Sequence, residues 1–172
     1  MTTNSTVIIG LYNPKSPANV GAVMRAAGCY DATQVRYNGV RYNRAIKLQT
    51  DTKKVKSRIE LINSDDLTAN INEDVKVVCV ELAVGATALP EFVHPQHAIY
   101  VFGPEDGSLP QHIVDQADHV VYVPTHGCMN LAATANVVLY DRMAKTLGDI
   151  DDQQQVIANR DNKNRLTVKS IA

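Results

Sequence analysis

The sequence predicts a single α/β domain built on a mostly parallel sheet flanked by helices. Three observations carry that reading. Apolar, β-branched runs of strand length alternate along the chain with segments of helical spacing. Several of those runs, "VIIGL" among them, are apolar at nearly every position, as strands buried on both faces are. Glycine, proline, asparagine and acidic residues gather just after the runs, at the strand ends where open α/β sheets bind ligands.

Thr6–Tyr12 is the first expected strand. A helix should follow, capped by Ser16, with Pro17 in its first turn, Val20, Val23, Met24 and Ala27 on its apolar side and Gly28 as its stop. "TQVRYN" reads as a short strand, and the basic "GVRYNRAIKLQTDTKKVKSR" as a mobile loop or short helix. "IELIN" reads as a strand and "SDDLTANI" as a short helix capped by Ser64. Val75–Leu82 is a strong strand, whereas "ATALPEFVHPQ", interrupted by Pro90 and Pro95, is a loop or broken helix. His97–Phe102 is a strand, "LPQHIVDQAD" a helix with Pro110 in its first turn, and "HVVYVP" a strand that Pro124 ends. From Asn130 to Leu147, Leu131, Thr134, Val137, Val138 and Met143 form a helical stripe. The polar segment after Gly148 reads as a tail that projects from the domain or is disordered. The domain is therefore placed at 1–148 and a polar C-terminal extension at 149–172.

The totals bound the function. The chain has 172 residues, enough for one domain with a full core, and 45% of them are hydrophobic, which excludes a disordered protein. No apolar run is long enough to cross a bilayer, and the N-terminus lacks the basic and cleavage regions of a signal peptide. Three widely spaced cysteines, Cys29, Cys79 and Cys128, suit reduced thiols in a cytoplasmic protein better than a disulfide framework. The net charge of -1 hides an asymmetry: residues 1–60 carry ten basic and three acidic side chains, leaving seven and fifteen for the rest. Such a split fits a localised basic face for a polyanion, or a solvated basic loop.

Three clusters carry the candidate chemistry. In "NPKSPANVGAVMR", Asn19 and Arg25 lie nearly two helical turns apart and Gly21 permits a close approach; a capped helix with a surface arginine is the plainer alternative. In "FGPEDGSL", two glycines and a proline imply a tight loop that presents backbone groups, with Glu105 able to meet a basic partner such as Arg25, or else a turn with a solvated acidic pair. In "VPTHGCMNLAATANVVLYD", small residues follow Asn130 and allow close helix packing. Cys128 has His126 two residues away, which leaves a thiol nucleophile open, but no second Cys/His pair stands at zinc spacing and no metal is expected. His94 and His97, on a proline-broken loop, read as surface histidines. No strand is followed by G-x-G-x-x-G, which argues against a nicotinamide-dependent oxidoreductase.

Together, in order and spacing, "NVGAVMR", "FGPEDGSL" and "VPTHGCMNLAATANVVLYD" resemble the three motifs of the SpoU/TrmH-type RNA methyltransferases of the SPOUT superfamily, over about Thr6 to Leu147. The resemblance implies an α/β fold whose C-terminal part threads a deep trefoil knot, a homodimer, and transfer of a methyl group from S-adenosyl-L-methionine to a ribose 2'-hydroxyl of tRNA or, less expected, rRNA. It implies that Arg25, Asn19, Glu105 and Asn130 form the catalytic set. It implies cofactor contacts, largely through backbone, at Glu81, Leu82, Gly103, Val123, Cys128, Met129 and Leu131. Where the family usually carries Ser-Leu-Asn or Ser-Met-Asn, this chain has Cys128-Met129-Asn130, and cysteine is the weaker hydrogen-bond partner. RNA phosphates are expected to meet the basic segment through Arg36, Arg41, Arg44, Lys53 and Lys54, with Tyr37 or Tyr42 stacking on an unpaired base. A catalytically silent RNA-binding protein that keeps the fold is the alternative.

Overall fold

A computed structural model describes residues 5–47, 59–146 and 152–169. Its centre is a seven-stranded sheet, all of whose pairings are parallel. In chain order the strands are β1 (Val7–Leu11), β2 (Gln34–Tyr37), β3 (Leu61–Asn63), β4 (Lys76–Val80), β5 (Thr87–Ala88), β6 (Ala98–Phe102) and β7 (His119–Tyr122). In space they run β3-β2-β1-β6-β4-β7-β5. The helices are α1 (Pro17–Cys29), α2 (Arg41–Lys47), α3 (Gln111–Asp115), α4 (Leu131–Thr146) and α5 (Asp152–Asn159). The single α/β domain with a parallel sheet is thus as the alternating pattern predicts.

The pleat sorts the strand residues into two layers. Val7, Ile9 and Leu11 of β1, Val78 and Val80 of β4 and Tyr100 and Phe102 of β6 join the buried faces of α1 and α4. Ile8, Cys79, Ile99 and Val101 face the other way, into a smaller core with Leu67, Val75 and Leu109. That two-sided burial is why the central strands lack polar alternation. Ser16 caps α1, its Oγ accepting from the Asn19 N–H at 3.3 Å, with Pro17 in the first turn as expected; the helix runs one residue past Gly28.

Several expectations need correction. "SDDLTANI" forms turns, not a helix: the Asp66 carboxylate accepts from the Thr68 N–H and hydroxyl, a local turn that competes with helical bonding. "ATALPEF" contains the two-residue β5 and a single 3-10 turn, Leu89–Glu91. The buried side of α4 is Leu131, Ala132, Ala135, Val138, Leu139 and Arg142; of the expected stripe, Leu131 and Val138 lie on it, Thr134 and Met143 are half-buried, and Val137 is exposed. Within the polar segment after Gly148, read as projecting or disordered, Asp152–Asn159 form the helix α5.

His94 is the largest departure from the sequence reading. It is buried, not a surface residue. Its Nδ1 lies 2.6 Å from the Tyr100 hydroxyl and its Nε2 2.8 Å from Asp141 Oδ2. Arg142, also buried, donates to the same Tyr100 hydroxyl and to the carbonyls of Pro95 and Gln96. Lys145 reaches the carbonyls of Leu89 and Phe92 and pairs with Asp141. With Arg142 donating to it, the Tyr100 hydroxyl is left to donate to Nδ1, which makes Nε2–H the donor to Asp141. Burial lowers the His94 pKa; the Asp141 bond and charge oppose that, while Arg142 and Lys145 reinforce it. Five side chains, His94, Tyr100, Asp141, Arg142 and Lys145, therefore form one network that binds the second half of α4 to β6 and to the segment between β5 and β6.

Candidate active site

The carboxyl ends of β4, β6 and β7 and the start of α4 enclose a cleft of about 260 Å³. All seven residues expected to contact a cofactor line it: Glu81, Leu82, Gly103, Val123, Cys128, Met129 and Leu131. So do Glu105 and Asn130 of the expected catalytic set. The sequence reading missed Tyr122, Thr125 and Thr134 in the same lining, although each lies within or beside the third motif. Among the described residues, two carboxylates and no lysine or arginine belong to this lining.

Glu81 closes one wall. Its Oε1 accepts from the Leu82 N–H at 2.9 Å and its Oε2 from the Leu109 N–H at 2.8 Å, tying the loop after β4 to the loop after β6. Gly103 makes that approach possible. A Cβ there would stand 3.2 Å from both Glu81 Oε2 and Leu109 N, and would have to push them aside.

Glu105 organises the next wall, but not through Arg25 as the sequence suggested. Its Oε2 accepts from the Lys15 N–H at 2.8 Å, and its Oε1 from the Ser16 N–H at 2.9 Å and from Asn19 Nδ2 at 3.1 Å. A carboxylate thereby ties the loop after β6 to the start of α1 and holds Asn19 in place. Burial pushes the Glu105 carboxyl up, but the N–H donors of Ser16, Glu105 itself and Lys15 and the Asn19 amide outweigh it and hold the pKa below the usual glutamate value. Arg25 stands apart. It is exposed on α1, lies outside the cleft lining, and has no side-chain hydrogen bond or ion pair among the described residues.

The third motif combines a cap with an open turn. Asn130 Oδ1 accepts from the Ala133 N–H at 2.7 Å, while its carbonyl accepts from Thr134 N and Oγ1, so Asn130 is the N-cap of α4. Cys128 and His126 are both exposed and share no hydrogen bond. Cys79, by contrast, is buried, and burial pushes its thiol up to about 11.

The basic segment is less free than its charge count suggests. The Arg36 guanidinium is held by Gln34 Oε1 and the carbonyls of Leu67 and Ala69. Arg41 makes a two-pronged bond to Asp106, Nη1 to Oδ1 at 2.8 Å and Nη2 to Oδ2 at 2.7 Å. That bond holds the Asp106 carboxyl below its ordinary value. Arg44 is exposed, and Lys53 and Lys54 lie outside the described residues. Tyr37 and Tyr42 are not available for stacking on a base: both are buried and pack edge to face, with ring centroids 4.9 Å apart. Among the described residues no cluster of His, Cys, Asp and Glu suits a metal ion, and no helix is long and apolar enough to cross a membrane.

Known structures share this architecture. The fold is similar to that of an rRNA methyltransferase from Sinorhizobium meliloti, with a TM-score of 0.66 and 18% identity over 83% of this chain and 57% of that one. It is similar to the SpoU methyltransferase AviRb from Streptomyces viridochromogenes in complex with AdoMet, with a TM-score of 0.65 and 16% identity over 84% of this chain and 62% of that one. It is also similar to a protein solved to explain the 2-OH methylation of C/U34 on tRNA, with a TM-score of 0.67 and 19% identity over 84% of this chain and 93% of that one. The chain spans less than two thirds of the length of the first two. Among curated protein sequences, none matches it significantly. The sequence pattern of the SpoU rRNA methylase family matches residues 6–140, and the chain belongs to that family.

Proposed function

We propose that the protein is an S-adenosyl-L-methionine-dependent RNA methyltransferase that modifies a ribose 2'-hydroxyl, with tRNA the favoured substrate, and that it acts as a homodimer in the cytoplasm. The observation that carries the reading is the cleft: three strand ends and a helix start enclose a space lined by Glu81 and Glu105 and, among the described residues, by no cationic side chain. A sulfonium cation suits such a lining, whereas the phosphates of a dinucleotide would not. The AviRb structure in complex with AdoMet and the structure addressing tRNA methylation support the cofactor and the substrate class. Three free cysteines support a reducing compartment. Exposed small residues on α1, Ala18, Gly21 and Ala22, together with exposed Val137 and Tyr140 on the neighbouring α4, support a second copy packed on that face. The position of β7 between β4 and β5, with α4 returning to α1, is compatible with a knotted C-terminal part within a domain spanning 1–148, followed by the extension 149–172.

Glu81, Leu82, Gly103, Val123, Cys128, Met129 and Leu131 would hold the cofactor, which supplies an electrophilic methyl group. The chain's own work is positioning. Glu81 fixes the spacing of two cleft loops, and Glu105 fixes Asn19 and the start of α1. Asn130 sets the entry angle of α4. Arginine side chains remain protonated in proteins, so Arg25 would act not as a base but by orienting the hydroxyl or a neighbouring phosphate and stabilising the developing alkoxide. Among the described residues the cleft lining holds no cation, which leaves that task to a residue outside it, and Arg25 makes no ion pair with any of them.

Calorimetry with S-adenosylhomocysteine and mapping of ribose methylation in total tRNA and rRNA, with and without the gene, test the reading together. Saturable binding and one missing methylation site are expected. Arg25→Ala should lower methyl transfer at least about a hundredfold while leaving S-adenosylhomocysteine affinity unchanged. Near-normal turnover in that variant would remove Arg25 from the site. Cofactor binding with no missing methylation in any RNA would favour the silent, RNA-binding alternative.

A further inference from the structure

We infer that Lys15 and Arg41 form a phosphodiester subsite at the rim of the cleft, and that the Asp106 carboxylate occupies it in the absence of RNA. The inference rests on the RNA-methyltransferase reading above. Asp106 lies between two cleft-lining residues, Glu105 and Gly107, but is itself outside the lining and exposed. Both of its oxygens are taken by the Arg41 fork, and Lys15 Nζ stands 3.6 Å from Oδ2. A carboxylate held by a planar guanidinium has the geometry that the same guanidinium offers to a phosphate. Two cations therefore converge on one anion, at the opening of a cleft whose described lining holds none.

The surroundings fix the cations better than a surface pair requires. Glu105 accepts from the Lys15 N–H, so the backbone that carries Lys15 is pinned to the same loop as Asp106. Asn13, with a left-handed φ of 44°, donates its N–H to Asn38 Oδ1, and Arg41 Nη1 reaches the Asn13 carbonyl at 3.5 Å. Gly39, at φ 76°, lies so close to Asn13 that a Cβ would clash with its side-chain oxygen. The junction leading into α2 is thus seated on the loop after β1. Arg44, about one turn further along α2, is also exposed.

Exchange at this subsite is inexpensive. The side chains of Lys15, Arg41 and Asp106 are 64%, 27% and 50% exposed, and exposed ion pairs add little to stability. A backbone phosphate entering beside the cleft would take over the Arg41 fork, and Asp106 would turn to water. Until then the carboxylate keeps the fork oriented and repels polyanions that approach in another register.

Binding of unfractionated tRNA, measured over a range of salt concentrations for four proteins, tests the subsite. Asp106→Asn should tighten tRNA binding about three- to tenfold at low salt and steepen the dependence of log K on log salt by about one. The gain should disappear when Asp106→Asn is compared with wild type in an Arg41→Ala background, because the fork that it frees is gone. S-adenosylhomocysteine affinity should stay level in all four, which also reports that each is folded. A gain of equal size in the Arg41→Ala background would reduce the effect to general charge removal and overturn the subsite. So would wild-type binding of tRNA that Asp106→Asn leaves unchanged. Failure of the wild-type protein to bind tRNA or rRNA at all would overturn the RNA reading itself, and the subsite with it.

Discussion

The two halves of α4 are built on opposite plans. Its first turn faces the cleft with Asn130, Leu131 and Thr134, and just before it the chain is exposed from Pro124 to Cys128. Its second half buries a guanidinium and engages a buried imidazole, a carboxylate and an ammonium, each with a named partner. No buried side-chain polar atom among the described residues lacks a hydrogen bond. A wall that must leave its backbone open to a ligand cannot hold itself rigid by internal bonds. The helix that carries it is fixed instead at its other end, where polar side chains reach across to the segment between β5 and β6.

Removing the Arg142 side chain should have the largest effect on this division. It would leave the Pro95 and Gln96 carbonyls and one acceptor position of the Tyr100 hydroxyl without their donor. Arg142→Ala should cost about 3–5 kcal/mol, read as a lower urea midpoint. At temperatures where it remains folded, its S-adenosylhomocysteine affinity should fall as well, although Arg142 does not line the cleft. A variant as stable as wild type would show that apolar packing alone seats α4. A destabilised variant with full cofactor affinity would separate the two halves of the helix.

A smaller effect should appear with pH. Burial lowers the His94 pKa from its ordinary 6.5, so the folded chain binds a proton there less readily than the unfolded chain does. His94 therefore contributes a stability that is fully present above pH 6.5 and is lost as pH falls from 6.5 through the lowered folded value. The groups facing it act together. Asp141 across Nε2 partly opposes the shift, Arg142 and Lys145 reinforce it, and Tyr100 is held neutral chiefly by burial. The Tm should start to decline below pH 6.5 in the wild type, and His94→Gln should be less stable at neutral pH but flatter across that range. Parallel curves for the two proteins would place the titration elsewhere.

The same contrast separates what the sequence made legible from what it did not. The cleft half depends on residue types that mark their own positions: Gly103 where a Cβ would collide, Asn130 as a cap, Glu81 and Glu105 at strand ends. Such residues sit in short, ordered motifs, and their geometry is local. The clamp half depends on partners far apart in the chain; Arg142 meets a hydroxyl 42 residues away and Asp141 meets His94 47 residues away. No spacing rule announces such pairs, so His94 reads as a surface histidine and Arg142 draws no reading at all. Tyr37 and Tyr42 mislead for a related reason. Their basic neighbours suggest an RNA surface, but their rings fill the core between β2 and α2. The charge of Arg41 is read correctly from the sequence, while its partner Asp106, 65 residues on, appears only when the loops after β1 and β6 meet.

The smallest effect belongs to the residue whose chemistry looks most distinctive. Cys128 is exposed in the cleft lining and stands where the family usually carries serine. A nucleophilic thiol needs an activating base or cation in contact with it. Here His126 shares no hydrogen bond with Cys128, and the cleft lining contributes no lysine or arginine. The turn is shaped instead by a bond from the Thr125 hydroxyl to the Gly127 carbonyl, which leaves the thiol out. If backbone geometry is what position 128 supplies, the side chain is nearly interchangeable. Cys128→Ser should keep methyl transfer within about twofold of wild type, with any change toward higher activity because a hydroxyl is the better hydrogen-bond partner. Thiol alkylation of the wild type would still slow the reaction by bulk. Loss of transfer in the serine variant, with S-adenosylhomocysteine still bound, would instead assign the thiol a chemical part in the reaction and make the cleft half of α4 more than a wall.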